Sequence, residues 1–216
     1  MSRAPHAHMP KENVAYNPDR SCPLLIVISG PSGVGKDTVI HRMKSRKLPF
    51  HFVITATTRP RRSDERHGKD YFFLTQEEFA RMIEEDELVE YAYVYNDYKG
   101  IPKAQVREAF ASGLDVVMRV DVQGAATVRK LYPEALLLFL TTRDEAELVA
   151  RLRRRQTESN QQLNLRIAMA RKELQRIEDF DYVIVNEDGK LTETVEAILA
   201  VIKAEHLRVN HRKVAL

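Results

Sequence analysis

The chain has 216 residues, 44% of them hydrophobic and 30% charged, which suits one globular domain of ordinary size, or a core with small inserted subdomains, and excludes a disordered polymer. Apolar runs such as Leu24–Ile28 and Ala135–Leu140 fall far short of the ~20 residues of a membrane span, and the N-terminus lacks the continuous apolar core of a signal peptide. The 34 Lys+Arg against 31 Asp+Glu leave +3, too slight to imply a nucleic-acid binder, and a single cysteine, Cys22, excludes an intramolecular disulfide or a zinc cluster.

Residues 1–20 carry Pro5, Pro10 and Pro18 with scattered charge and no apolar period, so a flexible tail is expected there. From Leu24 onward, apolar runs alternate with amphipathic stretches. Leu24–Ser29, Asp115–Asp121, Ala135–Leu140 and Tyr182–Asn186 read as strands buried on both faces, as in a parallel sheet covered by helices. Thr142-Arg-Asp-Glu145 has capping-box spacing ahead of the stripe Leu148, Val149 and Leu152. Leu163, Ile167, Ala170, Leu174 and Ile177, and then Val195, Ile198, Leu199 and Ile202, each mark one face of a helix. The fold class expected is α/β: a P-loop core with a doubly wound parallel sheet. Between about residues 51 and 104 the chain is richer in Thr, Tyr and Phe, with short alternating runs and one helix opened by Thr75-Gln-Glu-Glu78. That stretch reads as a small strand-rich insertion, placed where a binding cleft forms at the carboxyl ends of the strands.

Gly30-Pro31-Ser32-Gly33-Val34-Gly35-Lys36-Asp37-Thr38 follows the first strand and opens a helix, the context a phosphate-binding loop requires. Its glycines let backbone N–H groups turn toward phosphate oxygens at a helix N-terminus, and Lys36 carries a mobile charge to the β- and γ-phosphates. The position after the lysine is usually Ser or Thr, which reaches Mg²⁺; here it is Asp37, a hard oxygen ligand of another kind. Downstream, Arg59, Arg61, Arg62 and Arg66 lie within eight residues, and guanidinium forks of this kind clamp a second phosphate.

The run Thr57-Thr-Arg59, Arg62, Gly68-Lys-Asp-Tyr71-Phe-Phe, Glu90, Val120-Asp121-Val-Gln-Gly124 and Asn186, spread in order over about residues 22–205, resembles guanylate kinase. The resemblance implies ATP and GMP as substrates, with Mg²⁺ accompanying ATP, and phosphoryl transfer in purine nucleotide metabolism. It implies that Arg59, Arg62 and Tyr71 hold the GMP phosphate, that Glu90 and Asp121 read the guanine edge with Thr55 nearby, and that Asn186 lies beside adenine. Arg155 and Arg166 match the family's lid arginines, giving a helical lid over about 151–170 and Lys36, Arg59, Arg155 and Arg166 as the catalytic set. Glu90 has its own logic, because a carboxylate accepts the adjacent N1–H and N2–H₂ donors of guanine, a pair adenine lacks. The family's Tyr-Gly-Ser/Thr run is here Lys99-Gly100-Ile101. Lys99 takes the phosphate contact as a point charge, and Ile101 offers no donor to guanine O6. The surrounding Asp97-Tyr-Lys-Gly-Ile-Pro102 resembles the organelle-type branch of the plant enzymes.

Two rivals stay open at this level: a P-loop kinase for a phosphorylated sugar, and a non-catalytic module that binds phosphorylated peptides. A single domain over 21–210, a monomer or small homo-oligomer, a cytoplasmic location, and no nucleic-acid or membrane partner complete the expectations.

Overall fold

A computed structural model describes residues 22–94, 96–154 and 160–214; the stretch expected as a tail, 1–20, and Arg155 lie outside them. The first apolar run forms β1 (Leu25–Ser29) and leads into α1 (Lys36–Ser45). After β2 (Phe50–Phe52) come β3 (Ala56–Thr57), β4 (Phe72–Phe73), α2 (Gln76–Glu84), β5 (Leu88–Val94) and β6 (Asp97–Pro102). The rest alternates: α3 (Lys103–Ala111), β7 (Asp115–Arg119), α4 (Val122–Leu131), β8 (Leu136–Thr141), α5 (Glu145–Arg154), α6 (Asn160–Leu174), β9 (Tyr182–Val185) and α7 (Leu191–His206).

The core sheet is parallel throughout, in the order β2-β7-β1-β8-β9. Val27 of β1 lies opposite Met118 on one side and Leu137 on the other, so the loop-bearing strand is central. Its odd and even residues point into two different clusters. Ile26 and Ile28 meet α1, α5, α6 and α7 through Val39, Met43, Leu148, Leu152, Ala170, Val195 and Ile198. Leu25 and Val27 meet α3 and α4 through Val106, Ala109, Ala125 and Val128. Burial on both faces explains the apolar runs of β1, β7 and β8, and the helices on either side make the sheet doubly wound, as expected; β9, at the sheet edge, departs from the expectation, with Val183 and Val185 about half exposed.

The second sheet runs β4-β3-β6-β5. Its own small core holds Phe79 of α2, stacked on Tyr98 with ring centroids 5.1 Å apart, together with Ala56 and Leu88. Thr75 caps α2 with a complete capping box to Glu78. Phe79→Ala removes the largest piece of this cluster and is expected to cost about 3–4 kcal/mol, read as a lower urea midpoint. A cost under about 1 kcal/mol would mean that the cluster collapses around the gap.

Two local expectations are corrected. Phe50–Phe52, at the start of the stretch expected as the insertion, belongs to the core sheet, paired with β7; the second sheet begins at Ala56. The α5 cap is one residue pair later than the capping box expected at Thr142–Glu145. Asp144 Oδ1 accepts from the Glu147 N–H at 2.8 Å, and Glu147 Oε2 accepts from the Arg143 N–H. Thr142 is buried and donates to the Asp144 carbonyl, so its hydroxyl stiffens the approach instead of capping the helix.

Candidate active site

The carboxyl end of β1 feeds the glycine loop, and the loop is braced from behind. Gly35, the N-cap of α1, has φ +98°, and a Cβ there would stand 2.6 Å from Asn186 Nδ2. That amide donates to the Val34 carbonyl at 2.8 Å while its oxygen accepts from the Thr194 hydroxyl of α7. Arg151 of α5 donates to the same Val34 carbonyl and to the Asn186 carbonyl. Lys36 folds back on the loop, with Nζ donating to the carbonyls of Gly30 and Pro31 at 2.5 and 3.0 Å. Burial lowers its ammonium to about 8, against the pull of Glu173, Asp37 and Asp121.

Across the cleft, Arg59 makes a two-pronged pair with Glu65 at 2.7 and 3.0 Å, and Glu65 also accepts the Arg62 N–H. Burial opposes both charges, yet the pair raises the Arg59 guanidinium and holds the Glu65 carboxyl below its usual range. The Arg59 guanidinium lies 5.2 Å from the Tyr71 ring centroid. Burial and neighbouring Asp37 push the Tyr71 phenol up to about 12, so it stays a hydrogen-bond donor.

Between loop and clamp sits a residue that the sequence analysis missed. Arg119, the last residue of β7, pairs with Asp37 at 2.7 Å and stacks 4.2 Å from the Tyr71 centroid. Asp37 also accepts from the Tyr71 hydroxyl at 3.2 Å. Burial would raise the Asp37 carboxyl, but Arg119, Lys36 and Lys99 overcome it and hold it low. The one signal in the sequence was a charge closing an otherwise apolar strand, Asp-Val-Val-Met-Arg119.

At the far end, Glu90 is only 7% exposed. A register shift between Leu88 and Glu90 bulges β5 there, which re-aims the side chain, and the carboxylate meets the start of α4. Gly124 makes the room: a Cβ on it would lie 2.7 Å from Glu90 Oε2. Asp121 caps α4 by accepting the Gly124 N–H at 2.8 Å. Burial, and then the Asp121 charge, push the Glu90 carboxyl up to about 8. Lys99, on β6, is half-buried nearby, and desolvation is the main cause that lowers its ammonium.

These groups line one cleft, which Ser32, Gly33, Gly35, Lys36 and Asp37 enter from the loop, Thr55, Arg59, Arg62, Tyr71, Glu90 and Lys99 from the second sheet and its loops, and Asp121 and Arg166 from α4 and α6. Asp97, Arg119 and Glu173 line it too, none of them foreseen as site residues. Gly30, Pro31, Val34, Thr38 and Asn186 are outside this lining; Asn186, expected beside adenine, spends its side chain on the back of the loop. Ile101 is fully buried in the core cluster with residues of α3 and α4 and is the cross-strand partner of Glu90, so it packs beside that carboxyl without lining the cleft. Of the basic run ending α5, Arg154 pairs with Asp188 at 2.8 Å in the open, and Arg151 braces the loop.

A family model described as guanylate kinase matches residues 23–205. "Guanylate kinase 2, chloroplastic/mitochondrial" of Oryza sativa subsp. japonica is 51% identical over 193 residues, covering 89% of this chain and 68% of that protein. The guanylate kinase of Caldanaerobacter subterraneus subsp. tengcongensis is 42% identical over 190 residues, 88% of this chain and 91% of that one. The crystal structure of guanylate kinase from Anaplasma phagocytophilum superposes with a TM-score of 0.72 at 26% identity, over 88% of this chain and 89% of that one. The rice relative overturns the cytoplasmic location expected above, since its name carries an organelle address. Among the described residues no helix is long and apolar enough to cross a membrane.

Proposed function

The chain belongs to the guanylate kinase family, ATP-dependent kinases that carry the γ-phosphoryl group of ATP to GMP to give ADP and GDP, and on that premise we propose which of its side chains perform each part. The observation that carries the assignment is the convergence, in one cleft, of cations from separate segments with the buried carboxyl of Glu90 at the far end. The loop amides and Lys36 take the phosphates of ATP. Arg59, Arg62, Tyr71 and Lys99 take the phosphate of GMP, and Arg119 stands between the two groups. Glu90, with Asp121 and Thr55 beside it, takes the guanine edge. The second sheet is thus the acceptor-binding part, α5 and α6 form the lid, and Arg166 closes over the triphosphate from α6.

The acceptor oxygen needs no general base. A phosphate monoester has its second pKa near about 6 and is mostly ionised at neutral pH. The obstacle is repulsion between two anions, and fixed cations that meet the charge of the transition state remove it. Tyr71 keeps its proton and donates, Arg59 is pre-set by Glu65, and Lys36 has only to leave two carbonyls. Closing the lid excludes water, a competing acceptor.

Mg²⁺ fits this chain in a limited way. Asp37 is the carboxylate on the loop, low enough in pKa to be ionised, and among the described residues no three His, Cys, Asp or Glu gather as a metal cage. That suits an ion that keeps most of its ligands as phosphate oxygens and water. When bound with ATP it supplies charge neutralisation at the phosphates.

Of the two rivals, a phosphorylated sugar gives Glu90 no adjacent pair of donors, and a peptide-binding module has no use for Lys36 and the loop. An assay of ADP release with GMP, AMP, CMP and UMP as acceptors is expected to show GMP far ahead of the rest. Equal rates with AMP would overturn the assignment of Glu90 as the base reader.

A further inference from the structure

One carboxylate in the cleft has no part in the scheme above. Glu173 sits near the end of α6, and its Oε2 accepts the Ser32 N–H of the glycine loop at 3.0 Å. Ser32 lies in the loop whose inward amides make the anion cradle, so this donor is one that a phosphate oxygen would use. Glu173 also acts electrostatically on Lys36, the loop's own cation. Burial raises the Glu173 carboxyl, and Lys36 and the Ser32 amide pull it back toward ionisation. Arg166 and Glu173 are two helical turns apart on α6 and both line the cleft, while Leu163, Ile167 and Ala170 of the same helix pack on the core. One helix therefore offers the cleft a cation and an anion from the same side.

We propose that Glu173 is a resident substitute for an ATP phosphate: it occupies the Ser32 amide in the nucleotide-free protein, latches α6 to the loop, and must be expelled before the triphosphate can seat. A carboxylate and a phosphate oxygen cannot share one N–H at 3 Å, and their charges repel. Expulsion frees α6 to shift, so filling the cradle and moving the helix that carries Arg166 become a single event. In the return direction Glu173 competes with the ADP phosphates and speeds product release. It is a positioning residue, acting through the loop and the helix.

The inference rests on the assignment of the glycine loop as the ATP phosphate cradle, and the experiment separates the two. Calorimetric titration with ATP, ADP and inorganic tripolyphosphate is run on the wild type, Lys36→Met, Glu173→Gln and Glu173→Ala, with melting temperatures alongside. Gln keeps the length and an oxygen for the Ser32 N–H, so Glu173→Gln removes charge with little loss of shape. Both Glu173 variants are expected to bind ATP, ADP and tripolyphosphate roughly tenfold more tightly, the worth of displacing one charge-assisted hydrogen bond. In turnover assays KM for ATP falls, KM for GMP stays, and kcat falls as ADP is held longer. Unchanged or weaker binding by Glu173→Gln overturns the proposal, and so does a loss of melting temperature in both variants with no gain in affinity. If Lys36→Met binds ATP as the wild type does, the cradle assignment itself fails and the inference with it. If Lys36→Met loses ATP and Glu173→Gln gains nothing, only the inference fails.

Discussion

Lys36→Met is expected to lower turnover by about 10²–10³-fold, the usual cost of losing one pre-aimed charge at a transition state, and to leave the protein folded. The fold survives because Lys36 contributes little to it. Its Nζ donates to two loop carbonyls, Gly30 and Pro31, and holds no other part of the fold by a hydrogen bond among the described residues. The loop's shape is held from the other side by Asn186 and Arg151. Methionine matches the length of the stem and removes a charge that burial already disfavours. Arg59→Ala should cost a similar factor for a different reason. It deletes the guanidinium of the clamp and leaves Glu65, an anion tied to Arg62, next to where the GMP phosphate belongs. KM for GMP therefore rises along with the loss in kcat, whereas Lys36→Met acts on the ATP side. Steady-state kinetics with circular-dichroism melting checks both; rates within tenfold of wild type in a folded variant would remove that residue from the machinery.

Glu90→Gln is expected to weaken GMP binding by at least roughly 10²-fold, since one acceptor becomes a donor facing the donors of guanine in a dry pocket. The same change should stabilise the free protein at alkaline pH. The folded state keeps the Glu90 proton up to about 8, against a usual value of 4.5. Between those two values the folded protein binds more protons than the unfolded chain, so stability falls as pH rises through the window and the loss is complete above it. Gln has no proton to lose, and the fall attributable to this site disappears. GMP binding has the opposite slope. Two donors from guanine favour the ionised carboxylate, so binding releases a proton and affinity climbs as pH approaches about 8. The ionisation of the GMP phosphate adds its own slope at lower pH, and subtracting the Glu90→Gln profile isolates the carboxyl. Melting curves and calorimetry at pH 6, 7 and 8, flat after that subtraction, would show that Glu90 does not hold its proton in the free protein.

Much of this architecture was legible in the sequence because burial on both faces writes itself as unbroken apolar runs. β1, β7 and β9 lie within the expected stretches, β8 starts and ends one residue later than its own, and the glycine spacing placed the loop. What was hidden had the look of something ordinary. Arg119 closes a run of apolar residues and reads as a strand end, although its guanidinium is the hub of the cleft. Glu173 reads as the solvated face of α6, and the Ser32 amide it reaches lies on the other side of the chain's length. Glu65 sits among four arginines that draw the eye, while it fixes the direction of two of them. Phe50–Phe52 is too short for its alternation to say which sheet it joins, and only pairing with β7 settles that. The shift of the α5 cap from Thr142 to Asp144 follows from burial: a hydroxyl with no room outward turned to its own backbone, and an exposed carboxylate two residues on was free to take the N–H.

The brace behind the glycine loop has a consequence for how the protein comes into being. Asn186 and Thr194, which hold the Val34 carbonyl and the space beside Gly35, are translated long after the loop, Asn186 being 152 residues downstream of Val34, and β1 finds both of its sheet neighbours, β7 and β8, only long after it has left the ribosome. The nucleotide cradle is written early and shaped late. A nascent chain carrying the complete glycine signature therefore lacks the shaped cradle until β9 and α7 emerge, so the cell's nucleotide pool can stabilise only molecules in which both have folded.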